Sequence, residues 1–181
     1  MNVIKTAIEG LVIIEPRVFG DSRGYFFESY NSRDFAQVAN ITFVQDNESR
    51  SCYGVVRGLH FQKPPYAQSK LVRVVVGSVL DVAVDIRKDS PTYGQHVAVE
   101  LTAENHRQVF LPQGMAHGFA VLSETAIFQY KCDNLYHPEA EGALAWDDPT
   151  LAIDWRLPAA DVILSEKDKH HPCFNELVTP F

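Results

Sequence analysis

Residues 71–86 read L-V-R-V-V-V-G-S-V-L-D-V-A-V-D-I, and this stretch decides the fold class. It contains two apolar, β-branched runs, Leu71–Val76 and Val79–Ile86, separated by Gly77-Ser78. In the second run, large apolar residues alternate with aspartate or alanine, and a period of two is typical of a β-strand. Two such runs with a two-residue Gly-Ser break between them fit a β-hairpin. We therefore expect a hairpin here, within a β-rich protein.

Shorter segments of strand character lie on both sides of this stretch. Strands are predicted at Tyr25–Tyr30, Ile41–Gln45, His96–Thr102, Gln108–Leu111, Gly118–Leu122 and Ala126–Lys131. Short helical segments are predicted at Arg33–Val38 and Ser165–Lys169. Many short, evenly spaced strands in a chain of 181 residues favour a jelly roll or sandwich. The expected fold is mainly β, a jelly-roll barrel or sandwich with a few short helices.

Length and composition indicate an ordinary globular protein. A chain of 181 residues, with 46% hydrophobic and 22% charged residues, is expected to form one domain over residues 1–181. The net charge of −7 argues against nucleic acid or an anionic membrane as a partner, because broad phosphate binding needs a basic face. A local pocket of Arg and Lys that binds one diphosphate stays compatible with this charge.

The three cysteines and the N-terminal sequence indicate a cellular compartment. Cys52, Cys132 and Cys173 form no C-x-x-C pair and no even set, so reduced thiols are expected. No apolar run reaches the length that a membrane span requires. We therefore expect a cytoplasmic protein.

The stretch V-V-R-G-L-H-F-Q, residues 55–62, contains the histidine with the clearest chemical potential. Arg57 and His60 lie at the end of an apolar run, and Lys70 begins the next one. Imidazole is the side chain that titrates near neutral pH, and the two cations could stabilise a developing anion. This combination suits proton abstraction from a carbon acid, although each residue alone could equally be structural.

A second histidine lies in P-Q-G-M-A-H-G-F, residues 112–119, which resembles one half of the cupin signature. The other half would supply H-x-H and a glutamate as metal ligands. Here His60 is followed by Phe61 and Gln62, so the set is incomplete. His60 and His117 without a carboxylate at ligand spacing make a poor site for zinc or iron. We expect no metal and no other cofactor.

A longer series of motifs runs in order from Asp21 to Asp168. It comprises D-S-R-G-Y-F-F-E (21–28), Q-D-N-E-S (45–49), V-R-G-L-H-F-Q (56–62), Q-S-K-L-V-R-V (68–74), D-V-A-V-D-I-R (81–87), L-P-Q-G-M-A-H-G-F (111–119), Y-K-C-D-N-L-Y-H-P-E-A-E (130–141), W-D-D-P (146–149) and L-S-E-K-D (164–168). Together these motifs resemble the dTDP-4-dehydrorhamnose 3,5-epimerases, a cupin-like family. The resemblance covers nearly the whole chain.

The resemblance implies four catalytic residues. In a 4-keto sugar the carbonyl acidifies the hydrogens on C3 and C5, and inversion needs a base on one ring face and an acid on the other. By resemblance His60 is the base and Asp168 orients its imidazole. Tyr130 is the acid on the opposite face, and Lys70 stabilises the enolate. The assignment of Asp168 depends almost wholly on the resemblance, because S-E-K-D-K is also typical of a solvated charge run.

The resemblance also implies a substrate-binding set and a subunit arrangement. The matching positions are Arg23, Glu28, Gln45, Asn47, Arg57, Lys70, His117, Glu141 and Lys167. Arginine binds diphosphate oxygens bidentately and lysine binds them as a point charge. The family implies a homodimer, in which the N-terminal third could add strands to the neighbour's sheet and place some ligand residues across the subunit boundary.

The sequence thus predicts a cofactor-free epimerase that converts dTDP-4-dehydro-6-deoxy-D-glucose into dTDP-4-dehydro-L-rhamnose for dTDP-L-rhamnose biosynthesis. A single-carbon epimerase or a 3,4-ketoisomerase of another deoxysugar pathway is the closest alternative. A metal-dependent cupin oxygenase or isomerase and a non-catalytic sugar-binding cupin are more distant ones.

Overall fold

The computed structural model describes all 181 residues and contains thirteen β-strands. The strands are β1 (Asn2–Lys5), β2 (Val12–Glu15), β3 (Phe19–Asp21), β4 (Gly24–Phe26), β5 (Gln45–Cys52), β6 (Val56–Gln62), β7 (Lys70–Val76), β8 (Ser78–Asp85), β9 (His96–Thr102), β10 (Gln108–Leu111), β11 (Met115–Val121), β12 (Thr125–Cys132) and β13 (Glu141–Ala143). The helices are α1 (Ser32–Phe35) and four 3₁₀ helices, Pro138–Ala140, Ala159–Asp161, Asp168–His170 and Phe174–Glu176. None of these helices combines the length and the apolar character that crossing a membrane takes.

The strands form two large antiparallel sheets and one small hairpin. One sheet has six strands in the order β1-β2-β10-β7-β12-β5, and the other has five in the order β13-β6-β11-β8-β9. Strands β3 and β4 pair only with each other. The predicted mainly β, jelly-roll class with a few short helices is confirmed.

The main core lies between the two large sheets. Val72 and Phe128 contribute to it from the six-stranded sheet, and Leu101 and Phe119 contribute from the five-stranded sheet. The rings of Phe119 and Phe128 stack across the interface with centroids 4.3 Å apart. Burial of these apolar side chains holds the sheets face to face, as in other sandwiches.

A second core covers the outer face of the five-stranded sheet. Leu80, Val82 and Val84 of β8 pack there against Leu151 and Trp155 from the C-terminal part of the chain. The intervening β8 residues face the other sheet, because successive side chains point to opposite faces. Strand β8 is therefore buried on both faces, which explains its nearly continuous apolar sequence.

A smaller core covers the outer face of the six-stranded sheet. Phe35 of α1 packs there on Ile14, Leu71 and Phe110. The side chain of Asn31 caps α1 by accepting hydrogen bonds from the first backbone N–H groups. This helix confirms the prediction at Arg33–Val38 with different bounds, since turns follow Phe35.

The predicted hairpin across Gly77-Ser78 is wrong. Strand β7 belongs to the six-stranded sheet and β8 to the five-stranded sheet, so the two strands do not pair. Gly77 adopts a φ of +77°, and a side chain there would collide with the carbonyl group of Thr125. The Gly-Ser break is a crossover between sheets, and local alternation cannot distinguish a crossover from a hairpin.

The other strand predictions had mixed outcomes. The strands at His96–Thr102 and Gln108–Leu111 are confirmed at the predicted bounds. Strand β11 overlaps the strand predicted at Gly118–Leu122, and β12 contains the one predicted at Ala126–Lys131. The strand predicted at Ile41–Gln45 is wrong, because pairing begins only at its last residue, where β5 starts. The strand predicted at Tyr25–Tyr30 overlaps only the end of β4.

Candidate active site

A cleft of about 330 Å³ opens between the two sheets, and polar side chains dominate its walls. Eight of the residues predicted from sequence line it: Asn47, Arg57, His60, Lys70, His117, Tyr130, Lys167 and Asp168. Residues that the sequence analysis did not identify also line it: Glu48, Ser49, Gly118, Phe119, Phe128 and Ser165. The motifs that looked separate in the sequence therefore converge in one place.

Two glycines explain why strands β6 and β11 approach closely at this cleft. A side chain on Gly58 would lie 2.5 Å from the Cα of Gly118, and one on Gly118 would lie 2.7 Å from the carbonyl oxygen of Arg57. Gly58 also has a φ of +133°, which disfavours other residues. This close approach sets His60 directly opposite His117 in the strand register. Both imidazoles consequently face the cleft.

His60 is hydrogen-bonded to the carboxylate of Asp168, with 2.6 Å between Nε2 and Oδ1. Asp168 also accepts hydrogen bonds from the hydroxyl of Ser165 at 2.9 Å and from Nε2 of His171 at 3.1 Å. Burial opposes ionisation of Asp168, but the hydrogen bond and charge of His60 and the bonds from Ser165 and His171 outweigh it. The pKa of Asp168 is lowered to about 2. At neutral pH this group is a carboxylate that can only accept hydrogen bonds.

The Asp168 carboxylate therefore selects one tautomer of neutral His60. The hydrogen lies on Nε2, where it is donated to the carboxylate, and Nδ1 keeps the lone pair. The His60 side chain is 30% exposed whereas that of Asp168 is 5% exposed, so the imidazole is the more open member of the pair. The arrangement is an imidazole held in place by a buried carboxylate.

Tyr130 and Lys70 lie on the opposite wall, on strands β12 and β7 of the six-stranded sheet. The ammonium group of Lys70 lies 5.7 Å from the centroid of the Tyr130 ring. Burial raises the pKa of Tyr130, so its phenol stays protonated at neutral pH. Burial lowers the pKa of Lys70, which makes its ammonium group a stronger proton donor.

The two walls can act on a bound molecule from opposite sides. His60 belongs to the five-stranded sheet, whereas Tyr130 and Lys70 belong to the six-stranded sheet. A flat ring held between the sheets would meet a base on one face and an acid on the other. Such a site can invert a carbon centre by removing a proton and returning one from the far side.

A second histidine–carboxylate pair lies beside the first. Nε2 of His117 is 2.7 Å from Oδ2 of Asp81, and both residues are buried. The sequence analysis did not identify Asp81 as a site residue. The available signal was its position: a carboxylate within strand β8, which is buried on both faces, needs a partner.

Arg57 and Asn47 complete the polar lining from opposite sheets. The guanidinium group of Arg57 donates to the hydroxyl of Ser51 at 3.1 Å and 3.2 Å. The amide oxygen of Asn47 accepts a hydrogen bond of 3.0 Å from Gln45. Gln45 is thus adjacent to a cleft residue without lining the cleft itself.

Lys167 forms an ion pair with Glu141 near the same cleft. The hydrogen bond to Glu141 and the nearby anionic groups raise the pKa of Lys167, and burial opposes this rise only in part. The hydroxyl of Tyr136 lies 3.4 Å from the same carboxylate. Glu141 therefore contacts a cleft residue rather than the cleft.

Besides Gln45 and Glu141, two more predicted binding residues do not line the cleft of their own chain. Arg23 lies at the tip of the β3–β4 hairpin, where it pairs with Asp21 at 2.6 Å and is largely exposed. Glu28 is also exposed, and it accepts a hydrogen bond of 3.2 Å from Asn31. One chain alone does not bring these two residues to the other ten.

Comparison with known proteins agrees with this geometry. The sequence profile described as dTDP-4-dehydrorhamnose 3,5-epimerase matches residues 5–176. The dTDP-4-dehydrorhamnose 3,5-epimerase of Salmonella typhimurium is 54% identical over 181 residues, covering 97% of each chain. The match thus spans both sheets and the whole cleft.

Solved structures show the same fold. A dTDP-6-deoxy-D-glucose-3,5-epimerase from Legionella pneumophila, in complex with dTDP-4-keto-L-rhamnose, is 50% identical with a TM-score of 0.93, covering 97% of this chain and 94% of that one. A 3'-monoepimerase from Streptomyces bikiniensis, in complex with dTDP-quinovose, is 32% identical with a TM-score of 0.87, covering 94% and 86%. The chain belongs to the dTDP-4-dehydrorhamnose 3,5-epimerase family.

Proposed function

We propose that this protein is a 3,5-epimerase that converts dTDP-4-dehydro-6-deoxy-D-glucose into dTDP-4-dehydro-L-rhamnose in dTDP-L-rhamnose biosynthesis. The observation that carries the proposal is the position of His60 and Tyr130 on facing sheets of one cleft. The reaction exchanges protons and transfers no electrons, so it requires no redox cofactor. An isomerase of this kind needs only acid–base groups and a stabilised enolate.

In this mechanism His60 removes the hydrogen from the carbon next to the ketone. The lone pair on Nδ1 takes the proton, and the Asp168 carboxylate stabilises the resulting imidazolium. Positioned bases of this type contribute about 10²–10⁴-fold to rate. The hydrogen bond to Asp168 also keeps the imidazole from rotating away from the sugar.

Lys70 and Tyr130 act on the intermediate from the other wall. The electrons left on carbon delocalise onto the C4 oxygen, and Lys70 stabilises that enolate oxygen by charge and hydrogen bonding. Tyr130 then donates its phenolic proton to the opposite face of the same carbon. His60 and Tyr130 regain their starting protonation states by exchange with solvent. Each inverted carbon therefore acquires one hydrogen that originates from water.

The remaining cleft residues are suited to the nucleotide part of the substrate. Arg57 and Lys167 supply positive charge for the diphosphate, and Asn47 and His117 supply hydrogen bonds. Because the net charge of the chain is −7, this local basic group is the feature that would attract an anionic substrate.

We also propose that the protein works as a homodimer in which Arg23 and Glu28 reach the partner's cleft. The β3–β4 hairpin leaves Phe19, Tyr25 and Phe26 each more than half exposed, which is unusual for three neighbouring aromatic residues. Strand β5 forms one edge of the six-stranded sheet, so its outer backbone groups can pair with another chain. Light scattering of the purified protein, with Phe26→Ser as the variant, measures the dimer directly.

Cytoplasmic location is part of the same proposal. Its support is that Cys52, Cys132 and Cys173 are all free thiols. Free thiols suit a reducing compartment. Fractionation of cells that contain the tagged protein tests the location.

The decisive experiment is NMR of the substrate with the protein in D2O. A 3,5-epimerase incorporates two deuterium atoms per product molecule, one at C3 and one at C5. A single-carbon epimerase or a ketoisomerase incorporates fewer, and a binding protein incorporates none. Two exchanged carbons in an L-configured product support the proposal, and any other count overturns it.

The single-carbon alternative has one specific observation in its favour. The 3'-monoepimerase from Streptomyces bikiniensis has the same fold, so fold alone does not determine the number of inverted carbons. Deuterium at C3 alone would favour this alternative.

A further inference from the structure

We propose that His60, Asp168 and His171 form a binding site for one divalent metal ion such as Zn²⁺, and that binding of this ion inhibits the enzyme reversibly. Their ligand atoms, two imidazole nitrogens and one carboxylate oxygen, all lie within 4.8 Å of one another. The inhibitory part of the proposal rests on the proposed role of His60 as the base. The binding part stands independently of it.

The geometry suits a single ion. Nε2 of His60 and Nε2 of His171 both point to Oδ1 of Asp168, at 2.6 Å and 3.1 Å. Zinc binds imidazole and carboxylate at about 2.0–2.2 Å, so its ligand atoms are separated by roughly 3.4 Å. Small movements of these side chains therefore create room for an ion among the three ligand atoms.

The ring arrangement agrees with the same conclusion. The centroids of His60 and His171 lie 5.6 Å apart with the rings perpendicular. With Zn–N bonds of about 2.1 Å, two imidazoles on one zinc have centroids roughly 5 Å apart. Asp168 is anchored by Ser165, which holds the carboxylate in place as a ligand should be held. Three protein ligands leave a fourth position for water.

Coordination would switch off the base without blocking the cleft. A neutral imidazole that binds metal through Nε2 carries its hydrogen on Nδ1. Nδ1 of His60 then has no lone pair to accept the proton of the sugar. The ion also replaces the hydrogen bond between His60 and Asp168. Proton abstraction stops even when the substrate is bound.

His171 supplies the third ligand of the proposed site. Its neighbour His170 provides a matched control. His170 is exposed and is not among the three clustered ligands. His171→Gln keeps an N–H donor for Asp168 but removes the imidazole ligand, and His170→Gln makes the same change one residue away. Circular dichroism with thermal unfolding verifies that each variant is folded.

Binding is measured first, without substrate. Co²⁺, which reports coordination by its visible absorption, and Zn²⁺, followed by calorimetry, are titrated into each full-length protein. We expect one ion per chain for the wild type and for His170→Gln, and at least about tenfold weaker binding for His171→Gln. No uptake by the wild type, or equal uptake by His171→Gln, would overturn the site.

Inhibition is measured second, as the ratio of epimerase activity with and without Zn²⁺ within each variant. We expect the inhibitory Zn²⁺ concentration to rise at least about tenfold in His171→Gln and to stay unchanged in His170→Gln. Equal inhibition of all three proteins contradicts the proposal. If the wild type binds the ion but has no epimerase activity, the proposed function fails and the metal site stands.

Discussion

His60 and His117 lie directly opposite each other on the paired strands β6 and β11. Each imidazole is hydrogen-bonded through Nε2 to a different carboxylate. The partner of His60 is Asp168, and the partner of His117 is Asp81. The first pair is partly open to the cleft, whereas the second is almost fully buried. We infer that the first pair moves protons and that the second holds His117 in a fixed orientation for substrate binding.

The second pair leads to a prediction for Asp81→Asn. Asparagine has nearly the same size but no charge, so it weakens the hydrogen bond that orients His117. A hydrogen bond to a charged group contributes about 1.5–3 kcal/mol, so we expect kcat/KM to fall by about tenfold or more, mainly through a higher KM. Steady-state kinetics measures this, and a loss confined to kcat would contradict a purely orienting role.

Tyr130→Phe separates proton removal from inversion. The variant keeps His60, so the base still removes the proton and deuterium from solvent still exchanges onto the same face. We expect inversion to fall by about 10²–10⁴-fold, while exchange with retained configuration falls much less. NMR of substrate recovered from D2O measures both. Inversion at the wild-type rate would rule out Tyr130 as the acid.

Asp168 should make the free energy of unfolding depend on pH in the acidic range. Its pKa in the folded protein is about 2, below the ordinary value, so the carboxylate stabilises the fold above about pH 4 and loses this effect as pH falls towards 2. The shift corresponds to about 2 kcal/mol. We expect the difference in unfolding free energy between the wild type and Asp168→Asn to shrink by about that amount between roughly pH 6 and pH 2.

Urea unfolding at several pH values measures this difference. The exposed residue Asp89 supplies the control, since Asp89→Asn should follow the wild type at every pH. A constant difference between the wild type and Asp168→Asn would show that the Asp168 carboxylate contributes no such stability.

Gly118→Ala tests the close approach of strands β6 and β11. The added methyl group would lie 2.7 Å from the carbonyl oxygen of Arg57, so the strands must separate. We expect a loss of about 1–3 kcal/mol in unfolding free energy together with reduced activity, because His60 and His117 move apart. Gly20→Ala is the control, since its nearest contact is an ordinary 3.7 Å, and it should change stability by less than about 0.5 kcal/mol.

Sequence reasoning predicted the fold class better than the strand pairing. Alternation in residues 71–86 identified two strands, but it placed them in one hairpin, whereas Gly77 lets the chain cross between sheets. Strand β5 was largely missed because its sequence, Q-D-N-E-S-R-S-C, is polar. The polar residues of β5 line the cleft. The polar sequence that prevented prediction of the strand is therefore the sequence that forms part of the site.

The candidate site was predictable in part for a similar reason. His60 and Lys70 attract notice because they interrupt apolar strands, but Asp168 lies in a charged segment and was identified only by family resemblance. His171 lies close to the same carboxylate, yet only the folded chain brings its imidazole towards His60. Contacts between residues over a hundred positions apart leave no local pattern.

The central claim is that His60 removes the proton from the sugar, and His60→Asn tests it most directly. His96, on strand β9 at the far edge of the same sheet, supplies the matched control His96→Asn. Deuterium uptake at C3 and C5 of dTDP-4-dehydro-6-deoxy-D-glucose is followed by NMR in D2O. We predict a loss of about 10²–10⁴-fold at both carbons for His60→Asn and none for His96→Asn. Uptake at the wild-type rate in folded His60→Asn would contradict the account.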